Sequence, residues 1–589
     1  MSLFKKITIF IMMLAVAIGL IACKDDELPR ETDERDLTSQ EYTINNIVAT
    51  DALGRVALPG DQRNGKYIGL FYHIWHGFHT TGLYNISELL EMNPDSLYDI
   101  DGDLFSPVGA FHYWGEPLYG YYQSSDPWVV TRHVELFTMI GIDYLVYDLT
   151  NSVIYIEAIN TIFEVLDQFY QQGFDVPKVV FYTNSHSRVT INRLWELWFE
   201  EGKYEHLWFS FDEKPLIIGV SSELRPDERE LYFDFFDFRE SQWPFGHDED
   251  LNRGFPWMDW KFPQTIFNDG TISVSLAQHP GARMSEGARS NYGRGFDYST
   301  FSNNSNLVNE GSNYDGQWST VFNNFDTVNN VFITGFNEWI AIKYEDGQDI
   351  FFVDTFNEEY SRDIEMPKKG YQDNYLIQTL KYAREYAFDA PKHYIYEQNT
   401  IDITDETLVQ WNSVKANFKD FAGDALARNF RNAASTFNYT DNSNRNDITD
   451  VSITHDQNHL YIKVETVDLI TPYNGTDLNW MNILLKTKSD VPSFAGYNYI
   501  VNRNPGTNQT SLEKSTGGYV WEKIANIDMH VFGNVMMVKI PLSQLGLKGN
   551  QVYVEFKVAD NVTRYDEIMD YYVTGDSAPI GRFSYVYGY

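Results

Sequence analysis

The sequence predicts an α/β fold, a (β/α)8 barrel, followed by an antiparallel β-sandwich domain. From about residue 66 to 390, near-continuous apolar runs alternate with amphipathic stretches. This alternation is typical of parallel strands that helices cover on both faces. Residues 451–589 instead show short runs of alternating polarity between turns rich in Asn, Gly and Asp, which favours an antiparallel sandwich.

Six of the eight strands that a (β/α)8 barrel requires can be placed in the sequence. They are residues 66–75, 143–151, 177–184, 214–220, 271–278 and 330–339. The other two are not identified, so the barrel is inferred from the alternation of strands and helices rather than from a strand count.

The helices between these strands have recognisable starts and faces. Asp126 precedes Pro127, and this pair suits an N-cap followed by the first helical position. We therefore expect Asp126 to cap a helix rather than to act in catalysis. Residues 155–172 place apolar side chains at spacings of three and four, and residues 188–199 and 375–388 look similar.

The first residues predict a targeting segment rather than part of the fold. Lys5 and Lys6 precede an apolar run over residues 7–21, and Cys23 follows it, which resembles a bacterial lipobox. The pattern predicts lipidation of Cys23; an ordinary signal peptide that contains a cysteine is the alternative. The acidic stretch after Cys23 resembles the surface-export signal of Bacteroidetes lipoproteins. We therefore expect a lipid-anchored protein of the outer membrane, exposed at the cell surface.

The predicted organisation has four parts. They are a signal peptide over residues 1–22, a tether over 23–60, the barrel over 61–395 and the sandwich over 396–589. Cys23 is the only cysteine in the chain, so neither an internal disulfide nor a cysteine metal site can form.

Charge and aromatic content narrow the range of partners. The 589 residues carry a formal net charge of −38, and such a surface repels nucleic acid and anionic lipid. We therefore expect no nucleic-acid partner, and we expect the acyl chain on Cys23 to hold the protein at the membrane. Aromatic residues make up 16% of the chain; most are expected in cores, although sugar-binding clefts also use aromatic rings.

Polar side chains gather where the predicted barrel strands end, and the active site of such a barrel lies at this face. The last strand delivers Asn337, Glu338 and Trp339 together, and another ends at Asp148, for which a helix cap is an equal alternative. Sugars need this mixture, because hydroxyls bond to amides and carboxylates while ring faces stack on aromatics. The other candidates for substrate contacts are Tyr72, His73, Trp75, His76, Asn184, His186, Trp260 and Gln278.

Three histidines raise the alternative of a metal site. His73, His76 and His79 recur at a spacing of three, but their segment leaves a strand instead of forming one face of a helix. The chain also lacks an HExxH pattern and a second cysteine. We therefore predict no metal and no other cofactor.

Three stretches carry a resemblance to a known enzyme family. Val331–Glu338 looks like the strand-end motif of glycoside hydrolase family 99, the endo-acting α-mannosidases, and of their relatives in family 71. Tyr121–Trp128 and Gly69–Trp75 are similar to two further blocks of that group. The resemblance covers roughly residues 60–390 and implies a barrel of the glycoside hydrolase type that acts on a glycan.

The resemblance also implies roles for single residues. In family 99 two glutamates three residues apart serve the chemistry, and the first, a base on the sugar 2-hydroxyl, maps to Glu338. The second, the general acid, would fall at Ala341. Because glycoside hydrolysis normally uses two carboxyl groups, the second must come from elsewhere. Asp148 and Glu345 are equal candidates, and Glu116 ranks behind them.

The C-terminal part resembles family 9-like carbohydrate-binding modules at residues 444–447, 480–481 and 556–561. Trp480 and Trp521 are expected in its core, with sugar stacking as the alternative. The leading hypothesis is a surface lipoprotein that hydrolyses a polysaccharide or glycan, with Glu338 as a catalytic carboxylate. The alternatives are a catalytically silent glycan-binding lipoprotein and a structural lipoprotein without a sugar site.

Overall fold

The computed structural model describes residues 46–588, with gaps at 80–81, 96–105, 243–250, 281–290, 346, 348–349, 354–356, 392–397 and 489–490. The predicted signal peptide, Cys23 and the predicted domain boundary between 395 and 396 lie outside the described residues. In the described part of the chain, no helix is both long enough and apolar enough to cross a membrane.

Eight parallel strands form the barrel, which confirms the fold predicted for this part of the chain. They are β1 (Tyr67–Tyr72), β2 (Tyr144–Leu149), β3 (Lys178–Thr183), β4 (Leu216–Gly219), β5 (Asp237–Gln242), β6 (Gly254–Pro256), β7 (Thr271–Val274) and β8 (Asn330–Ile333). They pair in the order β6-β5-β4-β3-β2-β1-β8-β7, and β6 and β7 at the two ends are in contact. Strands that follow chain order around a nearly closed ring define a (β/α)8 barrel.

The two strands that the sequence did not reveal are β5 and β6. Strand β5 reads Asp-Phe-Arg-Glu-Ser-Gln, and only Phe238 in it is buried. Strand β6 has three residues, Gly-Phe-Pro. Neither shows the apolar run by which the other six were recognised, because β5 is largely polar and β6 is too short to show a pattern.

The α-helices in the described residues are α1 (Ile86–Met92), α2 (Pro127–Ile140), α3 (Ile156–Gln171), α4 (Ser187–Leu194), α5 (Pro226–Phe235), α6 (Ser312–Asn323) and α7 (Asn374–Ala387). Helix α4 continues as a π-helical turn, Trp195–Phe199. The Asp126 side chain accepts a hydrogen bond from the Trp128 backbone N–H at 3.1 Å, and Pro127 is the first helical residue. The predicted capping role of Asp126 is therefore confirmed.

A small four-stranded sheet accompanies the barrel. Its strands are Tyr84–Asn85, Phe111–Tyr113, Ile340–Glu345 and Ile350–Phe352. Ile340–Glu345 pairs antiparallel with Ile350–Phe352 on one side and with Phe111–Tyr113 on the other. Because this strand begins two residues after Glu338, the sheet draws the chain away from the barrel soon after that carboxylate.

The C-terminal domain is an antiparallel β-sandwich made from one continuous sheet of 13 strands. Eleven of them are Asn417–Lys419, Ile448–His455, His459–Thr466, Asn482–Lys486, Tyr499–Val501, Gln509–Gly517, Val520–Phe532, Val535–Pro541, Val554–Asp560, Asp576–Ala578 and Ser584–Tyr587. The sheet folds back on itself, so the Phe418 ring contacts Phe556 and Tyr585 at centroid distances of 5.1 and 5.0 Å. Trp480 lies in the core as expected, and its indole N–H donates to the Thr471 carbonyl at 2.6 Å.

The remaining two strands of this sheet, Ile47–Thr50 and Val56–Ala57, come from the N-terminal side of the barrel. Ile47–Thr50 pairs with Ser584–Tyr587, although these residues fall within the predicted tether, residues 23–60. The tether prediction is therefore wrong for residues 46–60. The physical reason is apolar burial, since Ile47, Val48 and Ala49 are packed inside the domain.

Candidate active site

Glu338 stands just beyond the end of β8, at the C-terminal face of the barrel. Its side chain is 7% exposed. The chain reaches it through Gly335, where an added Cβ would lie 2.6 Å from the carbonyl oxygen of Arg362. The close approach of these two backbones therefore requires glycine. This explains the position of glycine in the strand-end motif.

Residues 361–365, which we call the rim segment, hold Glu338 in place. The Glu338 backbone N–H donates to Asp363 Oδ1 at 2.5 Å, and Arg362 Nη2 donates to Glu338 Oε2 at 2.7 Å. At the far end of the segment, the Glu365 N–H donates to the Phe336 carbonyl at 2.7 Å. Backbone and side chain of Glu338 are thus both fixed by the rim segment.

His73, which follows β1, faces the same carboxylate. Its Nε2 atom lies 3.8 Å from Glu338 Oε1. The Asn337 side chain accepts a hydrogen bond from the His73 N–H at 2.9 Å and donates to the His73 carbonyl at 3.0 Å. Burial, the neighbouring His76 and the charge of Arg362 lower the pKa of His73 well below its usual value, so the imidazole stays neutral.

Asp148 is a second buried carboxyl group at this face. It ends β2, is 8% exposed, and its Oδ1 accepts hydrogen bonds from the Thr150 N–H at 3.0 Å and the Thr150 hydroxyl at 2.7 Å. Burial raises the pKa of Asp148, although Thr150, the Trp75 indole and the charge of Arg362 offset part of this effect. Asp148 does not cap the following helix, because α3 begins at Ile156 with Tyr155 as its N-cap residue. Its carboxyl group instead holds the turn at Thr150 and lies within reach of the Arg362 charge.

Asp148 and Glu338 come from the two strands next to β1. Strands β2 and β8 are the two neighbours of β1, and the register pairs Tyr72 of β1 with Tyr147 of β2. Asp148 lies in β2, whereas Glu338 follows the end of β8. Arg362 forms an ion pair with Glu338 and also acts on Asp148 through its charge.

A chain of hydrogen bonds below the rim fixes these strand ends. The Tyr72 hydroxyl bonds to His133 Nδ1 at 2.8 Å, and His133 Nε2 bonds to Glu365 Oε1 at 3.0 Å. The Tyr122 hydroxyl donates to Glu365 Oε2 at 2.9 Å and accepts from the Asn337 amide at 3.0 Å. Burial lowers the pKa of His133 to about 3 and raises that of Glu365 well above its usual value. Both groups are therefore neutral, and they position the rim.

His76 and Trp339 pack against each other in the interior. Their rings are stacked, with centroids 3.9 Å apart and planes inclined by 9°. His76 Nε2 also bonds to the Asn337 carbonyl at 2.7 Å, and burial lowers the pKa of His76 to about 3. Since the two side chains are 0% and 3% exposed, the structure places them, with Tyr72 and Asn337, as supports of the rim.

The other residues predicted to contact substrate differ in their exposure. Gln278 is buried, and its amide donates to the Asp259 carbonyl at 2.7 Å. Asn184 is half-buried and accepts a hydrogen bond from the Ser241 hydroxyl at 2.9 Å. His186 is exposed at the start of α4 in the left-handed conformation, with φ of 50°. Asn184 and His186 thus remain accessible at the end of β3, whereas Gln278 does not.

Two predicted aromatic platforms keep a partly exposed side chain. Trp75 contacts the His73 ring at a centroid distance of 4.3 Å and Phe111 at 5.1 Å. Trp260 is half-buried, and its indole N–H points to the Met258 sulfur at 3.1 Å. Trp75 is the platform that adjoins the Glu338–His73 pair.

Glu345 and Glu116 have surroundings different from those of Glu338. Glu345 is exposed at the end of the strand Ile340–Glu345, which extends about 17 Å from its first residue. Glu116 forms an ion pair with Lys368. Asp148 is therefore the candidate second carboxyl group that faces the same charged cluster as Glu338.

Ala341, at the position of the second family 99 glutamate, lies in the small four-stranded sheet, which we call the rim sheet. It pairs with His112, is 2% exposed and packs among Ile86, Trp114 and Phe352. A carboxylate here would be buried in an apolar cluster and would lose its hydration without a partner. The local packing therefore explains why this position is apolar.

Sequence reasoning missed the rim segment as part of the site. Arg362, Asp363 and Glu365 are all buried, yet a stretch of charged residues in a sequence suggests an exposed loop. His133 belongs to the second family 99-like block, but the sequence does not single it out as a site residue. A signal was present in the alternation of Ile364 and Met366 with these charges, but it does not indicate a function.

The histidine alternative for a metal site is not supported by the described residues. His73 Nδ1 lies 3.3 Å from His76 Nε2, while His79 Nε2 bonds to the Tyr155 hydroxyl at 2.9 Å. Among the described residues, the groups of three potential ligands that converge all lie elsewhere in the molecule.

No family model matches the chain, and no curated protein matches it. Among solved structures, the chain is similar to the family 99 endo-α-mannosidase from Bacteroides thetaiotaomicron, with 14% identity, 54% of this chain and 97% of that chain covered, and a TM-score of 0.33. The same enzyme with bis-tris-propane gives 14% identity, the same coverage and a TM-score of 0.31. A glycoside hydrolase-like protein matches with 11% identity, 57% and 97% coverage, and a TM-score of 0.28. These neighbours are of the type expected from the sequence, but similarity this low carries no argument about the roles of single residues.

Proposed function

We propose that this protein hydrolyses glycosidic bonds in a polysaccharide or glycan, and that Glu338 and Asp148 are its two catalytic carboxyl groups. The observation that carries the proposal is their shared position at the C-terminal face. Both are buried, Asp148 lies in β2 and Glu338 follows β8, the two strands adjacent to β1, and Arg362 acts on both through its charge. Paired carboxyl groups across a cleft are the requirement for glycoside hydrolysis.

The surroundings suggest different roles for the two groups. Arg362 donates to Glu338 at 2.7 Å, and its positive charge favours a base or nucleophile that carries a negative charge. Burial raises the pKa of Asp148, which suits a group that gives a proton to the leaving oxygen.

Accessible groups around the pair are the proposed sugar contacts. Trp75 supplies a partly exposed ring beside His73, and Trp260 a second one. Asn184 and His186 offer an amide and an imidazole to hydroxyl groups. We further propose that a lipid on Cys23 anchors the protein at the outer membrane, so that this face meets glycans at the cell surface.

A second candidate function is glycan capture without hydrolysis. It is favoured by the ion pair of Glu338 with Arg362 and by the apolar surroundings of Ala341. A carboxylate that is permanently paired can bind a hydroxyl and still be a poor catalyst, because the pair must be loosened for proton transfer.

Product release from a panel of glycans by the purified protein tests both functions. We expect the wild type to release product, and Glu338→Gln and Asp148→Asn to lose activity by about 100-fold or more. Glu345→Gln is the matched control and should retain activity. If calorimetry shows glycan binding but the wild type releases nothing, the capture function holds and the hydrolase proposal fails.

A further inference from the structure

A second group of acids lies where the barrel meets the sandwich. It consists of the buried Glu135 on α2, the buried Asp420, Asp424 and Asp576 in the sandwich, and the half-buried Asp447 beside them; we call it the acidic junction. Oxygen atoms of Glu135, Asp420 and Asp424 lie within 4.8 Å of one another, and so do those of Asp424, Asp447 and Asp576. Asp424 belongs to both groups, so the five carboxyl groups form one continuous cluster.

Several oxygens of the acidic junction accept no hydrogen bond from any described residue. They are Glu135 Oε1, both oxygens of Asp420, Asp424 Oδ1 and Asp447 Oδ1. Asp420 is 2% exposed, so water in bulk solvent does not reach its carboxylate. Buried polar atoms in folded proteins nearly always have a partner, so this many in one place indicates a ligand that belongs there.

Two of the other carboxylate oxygens hold the surrounding loops in position. Asp447 Oδ2 accepts a hydrogen bond from the Gly423 N–H at 2.8 Å, and Asp576 Oδ2 accepts one from the Ile448 N–H at 2.5 Å. One oxygen of Asp447 and one of Asp576 are thus used to fix the backbone. This arrangement is preorganised, since the loops keep the acids together in spite of their repulsion.

Two positively charged side chains face the cluster, and they do not balance it. The Lys557 ammonium donates to the Pro579 carbonyl, and burial lowers the pKa of Lys557 to about 7. Arg132 donates to the backbone carbonyls of Asp424 and Val573. Both cations therefore donate hydrogen bonds to backbone carbonyl groups. The acidic junction has five carboxyl groups and only these two cationic side chains facing it.

An independent feature points to a ligand in the same place. A cavity of about 10 Å³ is lined by Glu135, Asp424, Asp576 and Ser577, among others, and this volume is about that of one water-sized particle. Ser577 Oγ is buried, with the residue 6% exposed, and has no hydrogen-bond partner among the described residues. A neutral oxygen without a partner therefore adjoins the carboxylates.

We propose that the acidic junction binds one Ca²⁺ ion, which joins helix α2 of the barrel to the sandwich. The donors are all oxygens, as hard divalent cations require. Several carboxyl groups and a hydroxyl suit Ca²⁺, which takes about six to eight oxygen ligands in flexible geometry. Mg²⁺ usually keeps several waters and binds only one or two carboxylates.

Calcium retention and thermal unfolding of the purified protein test the proposal. After removal of metal with a chelator, millimolar CaCl₂ should raise Tm by at least about 3 °C, and millimolar MgCl₂ should raise it less. Equilibrium dialysis should find about one Ca²⁺ per chain. A wild type that retains no Ca²⁺ and shows no shift in Tm overturns the proposal.

Variants test the location of the ion. Asp424→Asn, at the residue shared by both ligand groups, should abolish Ca²⁺ retention, while Asp528→Asn on an exposed strand should not. Ser577→Ala should weaken Ca²⁺ binding and leave the Tm of the metal-free protein unchanged, because its hydroxyl has no described protein partner. Wild-type Ca²⁺ binding in a folded Asp424→Asn or Ser577→Ala variant would show that the ion binds elsewhere.

Discussion

Buried carboxylates occur in two regions of this protein, and they are balanced in different ways. At the barrel rim, Glu338 forms an ion pair with Arg362, and Asp148 accepts two hydrogen bonds from a neighbouring residue. At the acidic junction, oxygens of Glu135 and Asp420 accept no hydrogen bond from any described residue. A carboxylate that accepts hydrogen bonds from protein donors is held in one position without a ligand. A cluster of carboxylates that lacks such donors needs a bound cation from solution.

The largest expected effect comes from removing the partner of Glu338. Arg362→Met keeps an apolar chain in place of the aliphatic part of arginine but leaves Glu338 buried without its ion pair, so the free energy of unfolding should fall by about 3–5 kcal/mol. Urea denaturation followed by tryptophan fluorescence measures this change. Arg193→Met, which breaks an exposed pair with Glu196, is the control and should cost less than about 1 kcal/mol. Equal losses in the two variants would mean that the buried Arg362–Glu338 pair contributes no more to stability than an exposed pair.

The next effect concerns the position at which a second family 99 glutamate would stand. Ala341→Glu places a carboxylate among Ile86, Trp114 and Phe352, so we expect a loss of roughly 2–4 kcal/mol in unfolding free energy. Glycan hydrolysis should not increase. A stable, more active Ala341→Glu variant would contradict this account of the rim sheet and would move the second catalytic carboxyl group away from Asp148.

A pH effect follows from the buried imidazole of His76. Burial lowers the pKa of His76 to about 3 from a usual 6.5, so the unfolded chain takes up a proton on acidification before the folded protein does. The contribution of neutral His76 to the unfolding free energy is therefore complete above about pH 6.5. It is lost as the pH falls towards 3, by about 2 kcal/mol at pH 5. Comparing the pH dependence of unfolding for the wild type and His76→Gln measures this contribution. The exposed His186→Gln is the control, and it should follow the wild-type curve.

Glycine at position 335 should show a smaller effect at the same rim. An added Cβ would lie 2.6 Å from the Arg362 carbonyl oxygen, so Gly335→Ala must shift the rim segment and should cost about 1–3 kcal/mol. Activity should fall with it, because Arg362 and Asp363 position Glu338. In the control Gly82→Ala, the nearest atoms would be at 3.7 Å, and thermal unfolding should be unchanged.

The sequence predicts those parts of the two regions whose residues are adjacent in the chain. Strands β1 and β2 were recognised because each is a continuous apolar run, and their ends led directly to His73 and Asp148. Strand β5 was not recognised, because its residues are largely polar and it forms a strand only by pairing with β4 and β6 in the barrel. Glu338 was found because it follows β8, whose apolar residues are adjacent in sequence, and because it matches the family 99 motif.

The groups that complete each region are distant in the chain and were not predictable in this way. Arg362 lies 24 residues after Glu338, and its burial depends on the backbone contact at Gly335. The acidic junction is more dispersed, since Glu135 comes from the barrel and Asp576 from nearly the last strand. In a chain with a net charge of −38, single acids give no signal until the fold brings them together.

The last effect separates the two regions by its sign. Burial raises the pKa of Glu135 to about 8 from a usual 4.5, so at pH 9 and without Ca²⁺ the folded protein carries an unfavourable charge there. Because the folded state binds this proton more tightly than the unfolded state, the contribution to stability is complete below about pH 4.5 and is lost as the pH rises from about 4.5 to 8. Glu135→Gln removes the charge and should raise the unfolding free energy in chelator. Glu338→Gln should lower it under the same conditions, because Arg362 then loses its counter-charge. Chemical denaturation of the two variants at pH 9 compares them directly, and changes of the same sign would mean that the carboxylates of the two regions are balanced alike.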